Sequence, residues 1–161
     1  IEIKRRIVMS RFTNVLIVSP FSDGKTWYLR SDFGYEVGDE GSADLIDVPR
    51  GFATDFASVP RPLWWIFPKW DSYGNAAVIH DFLYYDQKRS RREADRIFLE
   101  AMGVLQVPVW KKYALYYAVH WFGFLAWTAN ARRKARGISK FAEEPVKSVE
   151  KPKFKPHKQQ A

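Results

Sequence analysis

An α+β domain is predicted: a small antiparallel N-terminal sheet with an aromatic, proline-rich loop, followed by three packed helices. Three observations point to it. The first half carries short β-branched and aromatic runs separated by turn chemistry. The second half carries apolar residues at helical spacing, with start and stop signals around them. Over 161 residues, 47% hydrophobic and 17% aromatic composition is enough for one real core. That single domain is expected over residues 1–138, with a basic Lys/Pro-rich tail over 139–161.

The elements follow in chain order. Residues 15–19 (VLIVS) form a β-branched run, PFSDGK at 20–25 is turn chemistry, and TWYLR at 26–30 alternates, so a hairpin is expected. FGYEVG at 33–38 and LIDVP at 45–49 read as two further strands around the polar turn DEGSAD. Residues 50–70, RGFATDFASVPRPLWWIFPKW, hold three prolines and three tryptophans without a sustained period. They read as an ordered loop packed by its aromatics, a kind of segment that often carries function.

The helices begin at Asn75, expected to cap a helix that runs to about Tyr85. SRRE at 90–93 fits a capping box, Ser90 with Glu93. Ala94, Ile97, Phe98, Ala101 and Met102 then fall on one face, and Gly103 is expected to end that helix. Pro108 opens a third helix to about Arg136. Its stretch 113–129, YALYYAVHWFGFLAWTA, carries no formal charge over seventeen residues. A membrane span needs roughly twenty mainly apolar residues, and this stretch holds His120, Thr128, three Tyr and two Trp. It reads as a buried core helix, with interfacial membrane contact as the alternative.

The net charge of +8 is uneven. Residues 132–161 hold ten Lys/Arg and three Glu, +7, and the remainder is nearly neutral at +1. A broad nucleic-acid face on the folded body is therefore not expected. The tail is expected to be disordered, or ordered by a partner: an acidic protein surface, nucleic acid or anionic lipid. A plainly solvated tail is the competing reading. The chain has no cysteine, which excludes disulfides, a thiolate nucleophile and Cys-ligated zinc. The N-terminus IEIKRRIVMSRF lacks an apolar core and a small-residue cleavage site, so no signal peptide is expected.

One stretch carries candidate chemistry: NAAVIHDFLYYDQKRSRREADRIF, residues 75–98. On a helix His80 and Tyr84 share a face, and Asp81 lies on the neighbouring one. A turn at 86–89 folds the next helix back antiparallel, bringing Asp95 towards His80. A carboxylate on one ring nitrogen fixes the tautomer and leaves the other nitrogen as a base. Asp81 then remains to bind a hard cation or orient water. On spacing alone a buried His–Asp pair is more often a structural brace than a catalytic site. No Gly-x-Ser-x-Gly, Walker loop, HExxH or CxxC occurs.

The runs VPRGFATDFASVPRPLWWIFPKWDSYGNAAVIHDFLYY, RREADRIFLEAM and YYAVHWFGFLAW resemble the DUF1353 family, small proteins encoded mainly by bacteriophages and prophages. The likeness covers roughly residues 25–130. It implies a phage origin, and a virion or host-cytoplasmic location, and puts weight on Thr54, Asp55, Ala57, Ser58, Pro60, His80, Asp81, Tyr84, Arg92, Asp95 and Phe98. His120 is outside that pattern. HDFLY followed by ADRIF is also similar, more locally, to the helix pair of phospholipase A2. That likeness implies His80 as base, Asp81 as calcium ligand, Asp95 as the group orienting His80, and Tyr84 as a brace. The glycine-rich calcium loop and the disulfides of that family are missing.

Three functions compete. One is a phage-encoded hydrolase using His80, Asp95 and Tyr84, with Asp81 and Asp55 as ligands of a divalent cation such as calcium, acting on lipid or other cell-envelope material. The second is a non-enzymatic virion part (tail or head-tail) whose His–Asp network braces the core and whose tail docks on other phage structural proteins. The third is a modulator of the host, for which the sequence holds nothing specific.

Overall fold

Helix α1 (Gly74–Asp86) is the axis of the domain, and its sequence explains why. GNAAVIHDFLYYD has no polar stripe, so the helix is buried almost all round, with Gly74, Ala76 through Asp81, Leu83 and Tyr84 all inside. The computed structural model describes residues 11–38, 41–55 and 71–142. Within them the architecture is α+β, with short antiparallel strands first and three helices after. The aromatic run 56–70 and the tail from 143 onward lie outside the described residues.

The strands form two small sheets. Strand β1 (Val18–Pro20) pairs antiparallel with β2 (Trp27–Leu29), with Val18 opposite Leu29. Asp23 builds the turn between them, its carboxylate accepting from the Lys25 and Thr26 amides at 2.9 Å each. Strand β5 (Ala53–Thr54) joins the other edge of β2, with Trp27 opposite Thr54. The second sheet pairs β3 (Phe33–Glu36) with β4 (Leu45–Val48). Alternation decides its inner face: Ile46 and Val48 are buried, Leu45 and Asp47 exposed.

Helix α2 (Arg91–Val104) starts as the capping motif requires, Ser90 Oγ accepting from the Glu93 amide at 3.2 Å. Its stripe Ala94, Ile97, Phe98, Ala101 and Met102 is fully inside. Each of the large members contributes roughly 1.5–3 kcal/mol by leaving water. Glu100 Oε1 ties α2 to the sheets, accepting from Arg11 Nη1, Tyr35 Oη and the Gly38 amide, each at 2.9 Å. Helix α3 (Val109–Ala135) packs on α1 and α2 through Leu115, Ala118, Val119 and Gly123.

Four expectations change. Asn75 does not cap α1: the cap position lies two residues earlier, at Tyr73, which makes no side-chain cap bond. Gly103 does not end α2, which runs on through Val104, and the left-handed residue is Gln106 at φ 55°. Helix α3 is not a buried core helix, because Trp110, Tyr113, Tyr117, Trp121, Phe122, Phe124 and Leu125 are exposed. No helix among the described residues is long and apolar enough to cross a membrane. Finally, the chain does not leave the domain at 138. The Ala53 amide donates to the Lys140 carbonyl at 2.7 Å, the Ala142 amide donates to Gly51 at 2.8 Å, and Phe141 packs on Phe52 and Tyr85.

Gly34 tests the close fit of the second sheet. A Cβ there would stand 2.8 Å from the Ile46 carbonyl oxygen and 3.0 Å from Thr13 Oγ1. Gly34→Ala is expected to destabilise by about 1–3 kcal/mol in urea denaturation, because backbone must move to admit the methyl.

Candidate functional site

Consecutive residues on a helix of about 3.6 per turn point about 100° apart. On a helix buried all round, neighbours therefore serve different walls. His80 faces the seam of α2 and α3, and Asp81 faces β5. The αL cap at Gln87, φ 55°, turns the chain at the end of α1, and Ser90 restarts it as α2. Gln87 Nε2 also donates to the Trp127 carbonyl at 2.9 Å, fixing the end of α1 to α3.

Asp95 sits at the meeting point with none of its surface exposed. His80 Nε2 lies 3.0 Å from its Oδ1, and the Tyr84 hydroxyl donates to the same oxygen at 2.6 Å. Arg91, one turn before it, donates to Oδ2 at 3.1 Å and to the His120 carbonyl at 2.9 Å. Burial pushes the Asp95 carboxyl up, but the bonds from His80 and Tyr84 and the charges of His80 and Arg91 outweigh it and hold it below the usual carboxylate range. Burial and the neighbouring carboxylate push the Tyr84 hydroxyl upward. The His80 ring lies on Phe98, centroids 4.7 Å apart, and against Tyr84 at 4.2 Å. Gly123 lets Tyr84 come this close to α3, since a Cβ there would stand 2.3 Å from its hydroxyl.

Asp81, 7% exposed, behaves in the opposite way. Burial dominates and raises its pKa, with Asp55 adding to the rise, while Lys140, the Thr54 bond and His80 oppose it. Thr54 Oγ1 donates to Asp81 Oδ2 at 2.5 Å. His80, Asp81, Tyr84 and Asp55 all line one cleft of about 360 Å³. Its far wall is apolar and comes from α3, through Val119, Phe122, Leu125, Ala126 and Ala129. Asn130, Arg133 and Lys140 complete the rim. Size and lining are those of a small-ligand site.

The predicted site residues thus gather, with Asp95 behind His80 and the other four along the cleft. Asp55 and Asp81 are not joined by a third ligand: among the described residues no group of three or more His, Asp or Glu is placed to hold a metal. Calcium takes about six to eight oxygens. Here Thr54 occupies one Asp81 oxygen and the Lys140 ammonium supplies positive charge nearby. Among the described residues the donors fall short of the number calcium takes.

Sequence reasoning missed three participants. Arg91 is legible, because it stands at i,i+4 spacing from Asp95. His120 is not, since its Nδ1 reaches 3.9 Å from Asp95 Oδ2 only through tertiary packing. That nitrogen is buried without a hydrogen-bond partner among the described residues. Lys140 was assigned to the tail and belongs to the cleft.

The family model described as "Protein of unknown function (DUF1353)" matches residues 27–119, and the chain belongs to this family. The uncharacterized protein y4jT of Sinorhizobium fredii (strain NBRC 101917 / NGR234) is 35% identical over 97 residues. The match covers 59% of this chain but only 28% of that protein. No solved structure matches.

The two aspartates make opposite predictions. Asp95 has a depressed native pKa, so its stabilisation is present above the ordinary value of 3.8 and is lost as pH falls through the native one. Asp81 has a raised native pKa, so its ionised form costs stability near neutrality, and the cost is relieved as pH falls. Near neutral pH, Asp95→Asn is expected to lose about 1.5–3 kcal/mol, and Asp81→Asn to be neutral or stabilising. On acidification the Asp95→Asn deficit should shrink. Denaturant melts across pH read both, and an Asp81→Asn loss as large as that of Asp95→Asn would contradict the assignment.

Proposed function

We propose that this DUF1353 protein is a hydrolase in which His80 is the base and the cleft beside α3 takes an ester of a lipid or other cell-envelope amphiphile. One observation carries the reading: the cleft joins an acid–base cluster at one end to a continuous apolar wall. With Nε2 committed to Asp95, proton transfer with the substrate runs through Nδ1. A water oxygen attacks the acyl carbon as its proton passes to Nδ1. The leaving alkoxide takes that proton as the carbonyl re-forms. Asp95 stabilises the imidazolium, and Arg91 and Tyr84 keep Asp95 in place. Lys140 and Arg133, on the cleft rim, offset the developing negative charge. No step uses a metal.

An observation also favours a second reading. Asp95 is bonded from α1 and from its own helix, and the Arg91 guanidinium that holds it also grips the α3 backbone, which is what a brace does. In that reading the protein is a phage virion part, in the tail or at the head–tail joint, and the network only stiffens the domain. A raised-pKa Asp81 argues the other way, since a brace gains nothing from a carboxylate that costs stability.

Fluorogenic acyl esters and dispersed phospholipid, assayed for released fatty acid, test the proposal. The wild-type chain is expected to turn over an ester, and His80→Gln to remain folded by circular dichroism and lose at least about a hundredfold in rate. A folded wild-type chain with no activity on any ester, found as a stoichiometric component of purified virions by mass spectrometry, would leave the brace.

A further inference from the structure

Helix α3 presents a second surface that the cleft does not use. At about 3.6 residues per turn, Trp110, Tyr113, Tyr117, Trp121 and Phe124 fall on one side, away from the core contacts Leu115, Val119 and Gly123. All five are exposed, Trp121 at 68%. A contiguous aromatic face of this kind marks an interaction surface.

Charge says what covers it. Val109–Ala135 contains no acidic residue, and cations stand at both ends of the aromatic stripe. Lys111 pairs with Asp71, and Lys134 donates to the Asp86 carbonyl. Lys112 near one end, and Arg132, Arg133 and Arg136 at the other, form no ion pair with the described residues. A second copy of α3 would meet cation with cation in either orientation. An apolar protein groove would leave these charges without a counterpart. A surface that is apolar inside and anionic at its edge satisfies both features, and Trp and Tyr suit such a boundary. The helix is not long and apolar enough to cross a membrane. It can lie along one.

We propose that α3 docks flat on an anionic lipid surface, its aromatic stripe in the headgroup–acyl boundary and Lys112, Arg132 and Arg136 on lipid phosphates. Phe122 and Leu125 are exposed and also wall the cleft, so the docked surface is continuous with the cleft mouth. A lipid chain leaving the bilayer would enter beside His80. The docking itself does not depend on chemistry at His80.

Flotation of the full chain with vesicles tests this. Binding is expected to phosphatidylcholine vesicles containing phosphatidylglycerol, with weak binding to phosphatidylcholine alone. Salt at about 1 M, where screening acts within about 3 Å, should release most of it. Trp121→Ser/Phe124→Ser removes exposed rings only, so the variant should fold and bind about tenfold or more weakly. Arg132→Glu/Arg136→Glu should bind weakly too. His80→Gln should bind as wild type, which separates failure of docking from failure of the hydrolase reading. The proposal is overturned if the wild-type chain ignores anionic vesicles. It is equally overturned if the Trp121/Phe124 variant binds unchanged, which would assign binding to the basic tail. Sedimentation showing a dimer that this variant dissolves, without vesicle binding, would assign the face to a second copy.

Discussion

A carboxylate with no surface in water must have donors on its oxygens, and Asp95 is that carboxylate. His80 and Tyr84 come from α1 to one oxygen, and Arg91 comes from its own helix to the other while gripping the α3 backbone. The three helices therefore cannot shift past one another without leaving a buried ion partly unpaired. That penalty, several times the net worth of an ordinary hydrogen bond, fixes the angle and depth at which α1 meets its neighbours.

From that constraint the cleft follows. Because Asp95 turns His80 into the helical seam, Asp81, next in sequence, must point towards β5, where Thr54 receives it. The space between those two directions is closed on the far side by α3. Gly123 keeps α3 close enough for Tyr84 to reach Asp95, while Val119 and Leu125 on either side line the cleft wall. Asp95 is bonded on both oxygens, whereas burial opposes the charged form of Asp81.

Much of this was legible in the sequence because its signals are local. Ser90–Glu93 announces a helix start, and the stripe from Ala94 to Met102 requires α2 to fold back on α1. Together they bring Asp95 to His80 whatever else the chain does. Asn75 misled because a good capping residue near a helix start need not occupy the cap, and the preceding backbone decided the position. Apolar content alone misread α3, since Trp and Tyr serve a core and an exposed face equally well. Residues 139–142 carry a tail's composition but pair with Gly51 and Ala53, a contact some ninety residues away in sequence that no local pattern announces. The same return places Lys140 in the cleft.

Both the brace and the base depend on which nitrogen of His80 meets Asp95. Long-range proton–nitrogen NMR of the histidine rings reads this directly, with His80→Gln identifying the His80 signals among three histidines. In neutral imidazole the proton is expected on Nε2, donated to Asp95, with Nδ1 showing the shift of an unprotonated ring nitrogen. A neutral ring with its proton on Nδ1 could not donate to Asp95 through Nε2. It would remove both the brace and the base from this site.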